Sequence, residues 1–164
     1  MGDSENDRAF ILKAWRAYIE SSGRLVAELE HRMKTASGLD MGDFNMLLLL
    51  SEAPDERMRM GELARELAFA PGRLTYRATN LAKRGWIERK ASGSDKRGIW
   101  AILTTDGRRV LRKARPLHAR LVDELMIDHL DRSQAEVMLE VFTSLNNRMR
   151  GLSDEPAQKS RISG

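Results

Sequence analysis

A chain of 164 residues without a single cysteine has room for one real hydrophobic core, and it has no means of forming a disulfide, a thiolate metal site or a cysteine redox sensor. Its three histidines, His31, His118 and His129, are scattered in sequence and match no metal-binding spacing, so neither a metal nor another cofactor is expected. The net charge is only +4, yet it is unevenly spread: ten Lys and Arg stand against four Asp and Glu between Met58 and Thr104, while the rest of the chain holds 18 basic and 20 acidic residues.

From about Phe10 to Met33, apolar residues recur at Ile11, Trp15, Tyr18, Ile19, Leu25, Val26 and Leu29 with helical spacing and no proline. A helix of this length has more to cover than the core of one small domain. The residues before it, Met1 to Arg8, are polar and acidic and do not read as a signal peptide. The longest apolar run, Met46 to Leu50, is far short of the roughly 20 residues of a membrane span. The expectation is a cytoplasmic protein with no membrane partner. Asp40 is placed to cap a second helix carrying Phe44, Leu47, Leu48 and Leu50, which stops before Pro54.

A short helix is predicted over Glu62 to Ala68, with Leu63 and Leu67 inward. After a break at Phe69 and Ala70, Pro71 suits the first position of another helix, because its missing N–H is no loss there. That helix buries Leu74, Ala78 and Leu81 and ends at Gly85. The period then changes to two, giving strands over Trp86 to Lys90 and Ile99 to Leu103, joined by the Gly, Ser and charge-rich stretch Ser92 to Gly98. Thr104 can cap the next helix, which carries Val110, Leu111, Ala114, Leu117, Leu121, Val122 and Leu125 and should bend near Pro116. Ser133 and Glu136 have the spacing of a capping box for a last helix with Val137, Met138, Val141, Phe142, Leu145 and Met149 on its apolar side. Beyond Gly151 the composition is polar, and residues 151–164 are expected to be a disordered tail.

The order is two helices, a helix-turn-helix, a two-stranded wing and two more helices. The expected fold is therefore mainly α: a winged helix-turn-helix with about six helices and a small antiparallel β wing. The partition is 10–57 for support and dimerisation, 58–104 for the winged helix-turn-helix and 105–150 for further dimerisation helices, all within one structural domain. In a helix-turn-helix the first helix braces the second against the major groove. With Leu74 and Leu81 inward, the second helix presents Gly72, Thr75, Tyr76, Thr79 and Lys83, flanked by Arg73, Arg77 and Asn80. Arginine can take guanine bidentately, asparagine can read adenine, and hydroxyls can bond phosphate. Arg65 on the bracing helix is a candidate phosphate contact. In the wing, Lys96 and Arg97 stand where an arginine can enter the narrow minor groove, and Asp95 is read as the partner that orients Arg97.

Leu63 to Arg89 (LARELAFAPGRLTYRATNLAKRGWIER), Ser94 to Thr104 (SDKRGIWAILT) and Thr105-Asp106-Gly107 together resemble the MarR family of bacterial transcription regulators. The matching features are Leu81, Lys83-Arg84 and Gly85 at the close of the second helix, Asp95 and Arg97 in the wing, and Leu103, Thr104 and Gly107 after it. The resemblance implies a homodimer on a pseudo-palindromic operator in double-stranded DNA, nucleoid-associated when bound. It also implies repression relieved by a small aromatic or anionic effector. The sequence departs from the pattern twice: Ala70 stands where a serine cap is frequent, and Arg77 where the family is often apolar. Arg77 either adds a phosphate contact or folds back over the core edge.

The wide apolar faces of the terminal helices argue independently for a dimer, which suits two half-sites. The resemblance puts an effector pocket near the second helix and the helix after the wing, with Trp15, Tyr18, His31, Asn45, Met46 and His118 as candidates. The alternative is a winged-helix protein used for protein interaction or for non-specific chromosome binding, without an effector. Catalysis is not expected, because in the acidic set Asp40, Asp43 and Glu52 the first two stand at the cap and first turn of a helix, where acids are stabilising anyway, and no phosphate loop, nucleophile elbow or metal spacing is present.

Overall fold

The computed structural model describes residues 2–91 and 98–154. Helix α1 runs over Gly2–Ser37 and α2 over Met41–Glu52. A turn of 3-10 helix, Pro54–Glu56, leads into a short strand β1, Arg57–Arg59, followed by α3 over Met60–Glu66 and α4 over Pro71–Lys83. Strands β2, Ile87–Ala91, and β3, Ile99–Leu103, precede α5 over Thr105–Leu125. These elements form one compact unit, and α6, Arg132–Asp154, belongs to a second that begins at Met126.

The buried side chains of the first unit make one core. Met33, Leu39, Phe44, Met46, Leu47 and Leu50 come from the end of α1 and from α2, Leu63, Leu74, Ala78 and Leu81 from the helix-turn-helix, Ile87, Ala101 and Leu103 from the sheet, and Leu111, Ala114 and Leu121 from α5. The expected inward faces of α4 and α5 are thus the observed ones. Asp40 caps α2 as expected, its side chain accepting the Asp43 N–H at 2.9 Å.

Several boundaries differ from expectation for identifiable reasons. Helix α1 is longer at both ends. Its acidic N-terminal segment suits a helix start, and it stops at Gly38, which takes a left-handed φ of 72° and donates its N–H to Lys34 O at 2.9 Å. Trp86 is not in the strand: its N–H bonds Leu81 O at 3.0 Å and that of Gly85 bonds Ala82 O at 2.9 Å, so both residues close α4 in a Schellman motif. The same pattern ends α3, where Ala68 and Phe69 donate to Arg65 O and Ala64 O. There an alanine, φ 51°, holds the left-handed position that glycine usually takes.

The wing is a three-stranded antiparallel sheet in the order β1-β3-β2, not a two-stranded hairpin. Arg59 pairs with Trp100, and Ile87 and Ala91 pair with Leu103 and Ile99. At three residues, β1 is too short to show an alternating pattern in the sequence. The cap of α6 also falls elsewhere than expected. Asp131, not Ser133, accepts the Gln134 N–H at 2.9 Å, and Gln134 Oε1 accepts the Asp131 N–H at 3.0 Å. Two overlapping capping patterns compete here, and the earlier one forms, leaving Glu136 to pair with Arg132 at 2.8 Å. Helix α6 runs on to Asp154, past the expected start of the tail at residue 151, and the rest of that stretch lies outside the described residues.

The root of the wing is clamped to its neighbours. Thr104 Oγ1 donates to Gly85 O at 2.6 Å and accepts the Gly107 N–H at 3.0 Å, while the Thr104 N–H bonds Trp86 O at 3.1 Å. Gly107 packs so closely that a Cβ there would run into the Trp86 carbonyl and a Leu103 methyl. Gly107→Ala should therefore destabilise the protein by about 1–3 kcal/mol through overpacking. Urea unfolding checks this, and an unchanged midpoint would show that the clamp is looser than described.

Candidate nucleic-acid interface

The inward face of α4 is apolar because Leu74, Ala78 and Leu81 recur at spacings of four and three, and this fixes what points outward. Gly72, Arg73, Thr75, Tyr76 and Lys83 are exposed, Tyr76 at 70%. Arg65 is exposed on α3. The Arg73 guanidinium lies 4.6 Å over the Phe69 ring, which steadies it at the start of α4. No side chain caps α4 at Ala70, as the missing serine led one to expect. Thr79 and Asn80 are half-buried. Thr79 is already engaged, donating to Thr75 O at 2.8 Å and accepting from Arg89 Nη1 at 3.1 Å. Asp95, Lys96 and Arg97 lie outside the described residues.

Arg77 is half-buried and folds back toward α2, its Nη1 2.6 Å from Asp40 Oδ1 and 2.8 Å from Asp43 Oδ1. Its charge is consumed by these two carboxylates. The guanidinium lies against the backbone of α2 at Gly42, where a Cβ would stand 2.6 Å from Arg77 Cζ. Asp43 is the one buried charged residue among those described, 6% exposed, and Arg84 adds a weaker approach at 3.9 Å. Burial raises the Asp43 carboxyl above its ordinary value in spite of Arg77. Burial also acts to raise Asp40, but the Asp43 N–H and Arg77 prevail and hold it below its ordinary value.

Three other basic residues have roles that the sequence did not assign. Arg89 ties β2 to α4 through Thr79. Arg57 and Arg59, two apart on β1, each place a guanidinium 5.1 Å from the centre of the Trp100 ring on β3. All three fall in the basic segment Met58 to Thr104 or at its edge. Only the register of β1 against β3 could have shown that two of them share a face.

A family model described as the MarR family matches residues 37–98. AbsC, a MarR family transcriptional regulator from Streptomyces coelicolor, is 31% identical with a TM-score of 0.80, over 85% of this chain and 94% of AbsC. Sco3205, a MarR family regulator from the same organism solved in complex with DNA, is 32% identical with a TM-score of 0.78, over 89% of this chain and 88% of Sco3205. The chain belongs to the MarR family. It is also 27% identical to the transcriptional repressor YetL of Bacillus subtilis (strain 168), over 87% of this chain and 84% of YetL. As a MarR-family protein it is a DNA-binding transcriptional regulator and not an enzyme. No helix among the described residues is long and apolar enough to cross a membrane.

The six effector candidates of this MarR-family chain stand in different surroundings. Met46 is fully buried in the core, and Trp15 and Tyr18 stand on the exposed side of α1 with ring centres 6.0 Å apart. His31 is exposed and Asn45 half-buried. The His118 ring is stacked on Phe44 at 4.5 Å and 21°. A cleft of 480 Å³ does exist, but it lies between the end of α2, β1 and α3, bordered by Leu49, Glu52, Arg57, Met58, Glu66 and Trp100, and none of the six candidates lines it. The core uses Met46 and His118 as packing, which the sequence pattern could not distinguish from pocket lining.

Burial lowers the His118 pKa below its ordinary value, so the folded state takes up this proton less readily than the unfolded chain. Stability should fall as pH drops below about 6.5, where the unfolded chain protonates first, and level off once folded His118 protonates too. Urea unfolding between about pH 7.5 and about pH 5 should show this slope, and His118→Phe should flatten it. An identical slope in the variant would assign the effect to another group.

Proposed function

We propose that this MarR-family protein is a homodimeric repressor that binds a pseudo-palindromic operator and is released by a small aromatic effector. The observation that carries the reading is the outer face of α4, where Arg73, Thr75, Tyr76 and Lys83 are exposed together on a helix whose other side is locked into the core. This is a donor-rich surface of a size that fits the major groove. Gly72 allows close approach of the helix start to a phosphate, and Arg65 reaches the backbone from α3. Asn80 serves at the edge of the face, and Thr79 contributes its methyl or the hydroxyl that steadies Arg89. Lys96 and Arg97 are assigned to the minor groove, with Asp95 orienting Arg97.

Support for a dimer comes from apolar surface that one chain leaves uncovered. On α1, Phe10, Ile11, Trp15, Ile19 and Val26 are between 46% and 73% exposed, and α6 carries Val137, Leu139 and Val141 at 53% or more. Exposed apolar residues in such number on each helix mark association faces, and a second copy of the chain is their occupant. Repression is the reading favoured by the likeness to YetL, itself named a repressor. The cleft beside Trp100 has the size of small-ligand sites. Its carboxylates, Glu52 and Glu66, favour a neutral or cationic aromatic molecule there over the anionic one that the resemblance allowed.

Selection of bound genomic fragments by the purified protein tests the reading. The best fragment should contain an inverted repeat, bind a dimer at nanomolar-range concentration, and weaken linearly in log affinity against log salt as counterions are released. Arg97→Ala should reduce that affinity with little change in melting temperature. Equal affinity for selected and random DNA would instead establish non-specific chromosome binding.

A further inference from the structure

A largely buried polar connection inside the first unit joins the proposed reading helix to α2. Arg77 leaves α4 on its inner flank and is held by Asp40 and Asp43 at 2.6 and 2.8 Å. Its side chain is 18% exposed, those of Asp40 and Asp43 20% and 9%. The two carboxylates are themselves fixed by the first turn of α2, in which Asp40 accepts the Asp43 N–H. That turn is anchored in its own right to α1, because the Met41 N–H donates to Glu30 Oε2 at 3.2 Å. The N-terminus of α4, by contrast, has no side-chain cap, and the turn before it contains an alanine in the left-handed region. The uncapped start of α4 is thus followed, at the middle of the helix, by a guanidinium gripped from α2.

We propose that Arg77 is a positioning residue for DNA recognition: from within the protein, and without touching DNA, it sets the angle at which the outer face of α4 meets the operator. Apolar packing by Leu74, Ala78 and Leu81 fixes which side of α4 faces the core, but a cylinder packed on leucines can still roll and slide. A planar guanidinium bonded to two carboxylates on a separate helix removes that freedom, because the bonds are short and directional. Gly42 is part of the device. Its missing Cβ is what lets the guanidinium lie against α2, since a methyl there would stand 2.6 to 2.9 Å from Arg77 Cζ, Nε and Nη1. The arrangement also gives α2 and, through Glu30, α1 a direct lever on the reading helix.

This inference rests on the operator-binding reading above, and the test separates the two. Wild-type protein must first prefer its selected operator over random DNA; failure at that point would overturn the operator reading itself. Asp43→Asn, Arg77→Lys and Gly42→Ala are then compared with wild type by titration on both DNAs over a series of salt concentrations. Thermal unfolding establishes the temperature at which each variant is folded. Asp43 lies on α2 and offers no donor to DNA, so its amide variant isolates positioning from contact. The expected result is a loss of about tenfold in the operator-to-random ratio for each folded variant, with an unchanged log–log salt slope, because no phosphate contact is lost. Gly42→Ala should show the loss with every charge retained. If Asp43→Asn does not fold, Arg77→Lys and Gly42→Ala carry the test alone.

Two results would overturn the proposal. A salt slope reduced by about one unit in Arg77→Gln, which removes the charge that Arg77→Lys keeps, would make Arg77 a phosphate contact. A lower melting temperature with an unchanged operator-to-random ratio would make the cluster a support of the fold only.

Discussion

A charge taken out of water must be met by another, and in this protein that requirement ties the molecule together. Asp43 is buried in the first turn of α2, where an acidic residue is favoured by the helix dipole, and the Arg77 guanidinium from α4 lies against that turn. Among the described residues it is answered by Arg77 and, at longer range, by Arg84, both from the basic segment. Removing one partner of such a buried pair generally costs about 3–5 kcal/mol, since the other charge is left unanswered. The helix-turn-helix therefore cannot leave α2 without exposing or stranding a charge. Elsewhere in the first unit the polar ties are more exposed: Arg32 links Glu28 on α1 with Glu124 on α5, and Arg115 on α5 reaches Ser51 and Glu52 on α2. Exposed pairs of this kind contribute little individually.

Much of this architecture was legible in the sequence because its signals are local. Periods of 3.6 and 2, a proline at the first position of α4, Asp40 before α2 and Thr104 before α5 each act within one turn of chain, and each marks a boundary or a face found in the structure. The motifs from Leu63 to Gly107 pointed to the same family that the structural likenesses establish. What was not legible depends on pairing over distance. Arg77 and Asp43 are 34 residues apart, and nothing in the spacing of either says that they meet. Strand β1 exists only because β3 lies beside it. At the start of α6 two capping patterns overlap by two residues, and the competition is decided by hydrogen bonds that composition does not rank.

The same reasoning explains why the exposed face of a helix is easier to read from sequence than a pocket. A face on a helix follows from knowing which residues are buried, and the leucines of α4 state that plainly. A pocket is defined by what fails to fill it. Aromatic and polar residues on packed helices look alike whether they line a void or fill it, and here the Phe44 and His118 rings stack on each other. The cleft that remains lies at the opposite end of α2, beside a turn in which Asp55 and Glu56 both take positive φ.

The clamp at Thr104 and Gly107 has an evolutionary side. Because the hydroxyl of Thr104 and the bare Cα of Gly107 hold the foot of the hairpin to the ends of α4 and α5, the orientation of that foot is independent of whatever sequence joins β2 to β3. The intervening stretch can change in length and charge without retuning the helix beside it, as loop tips generally tolerate insertion. Drift in the sequence that joins β2 to β3 thus leaves the setting of α4 intact.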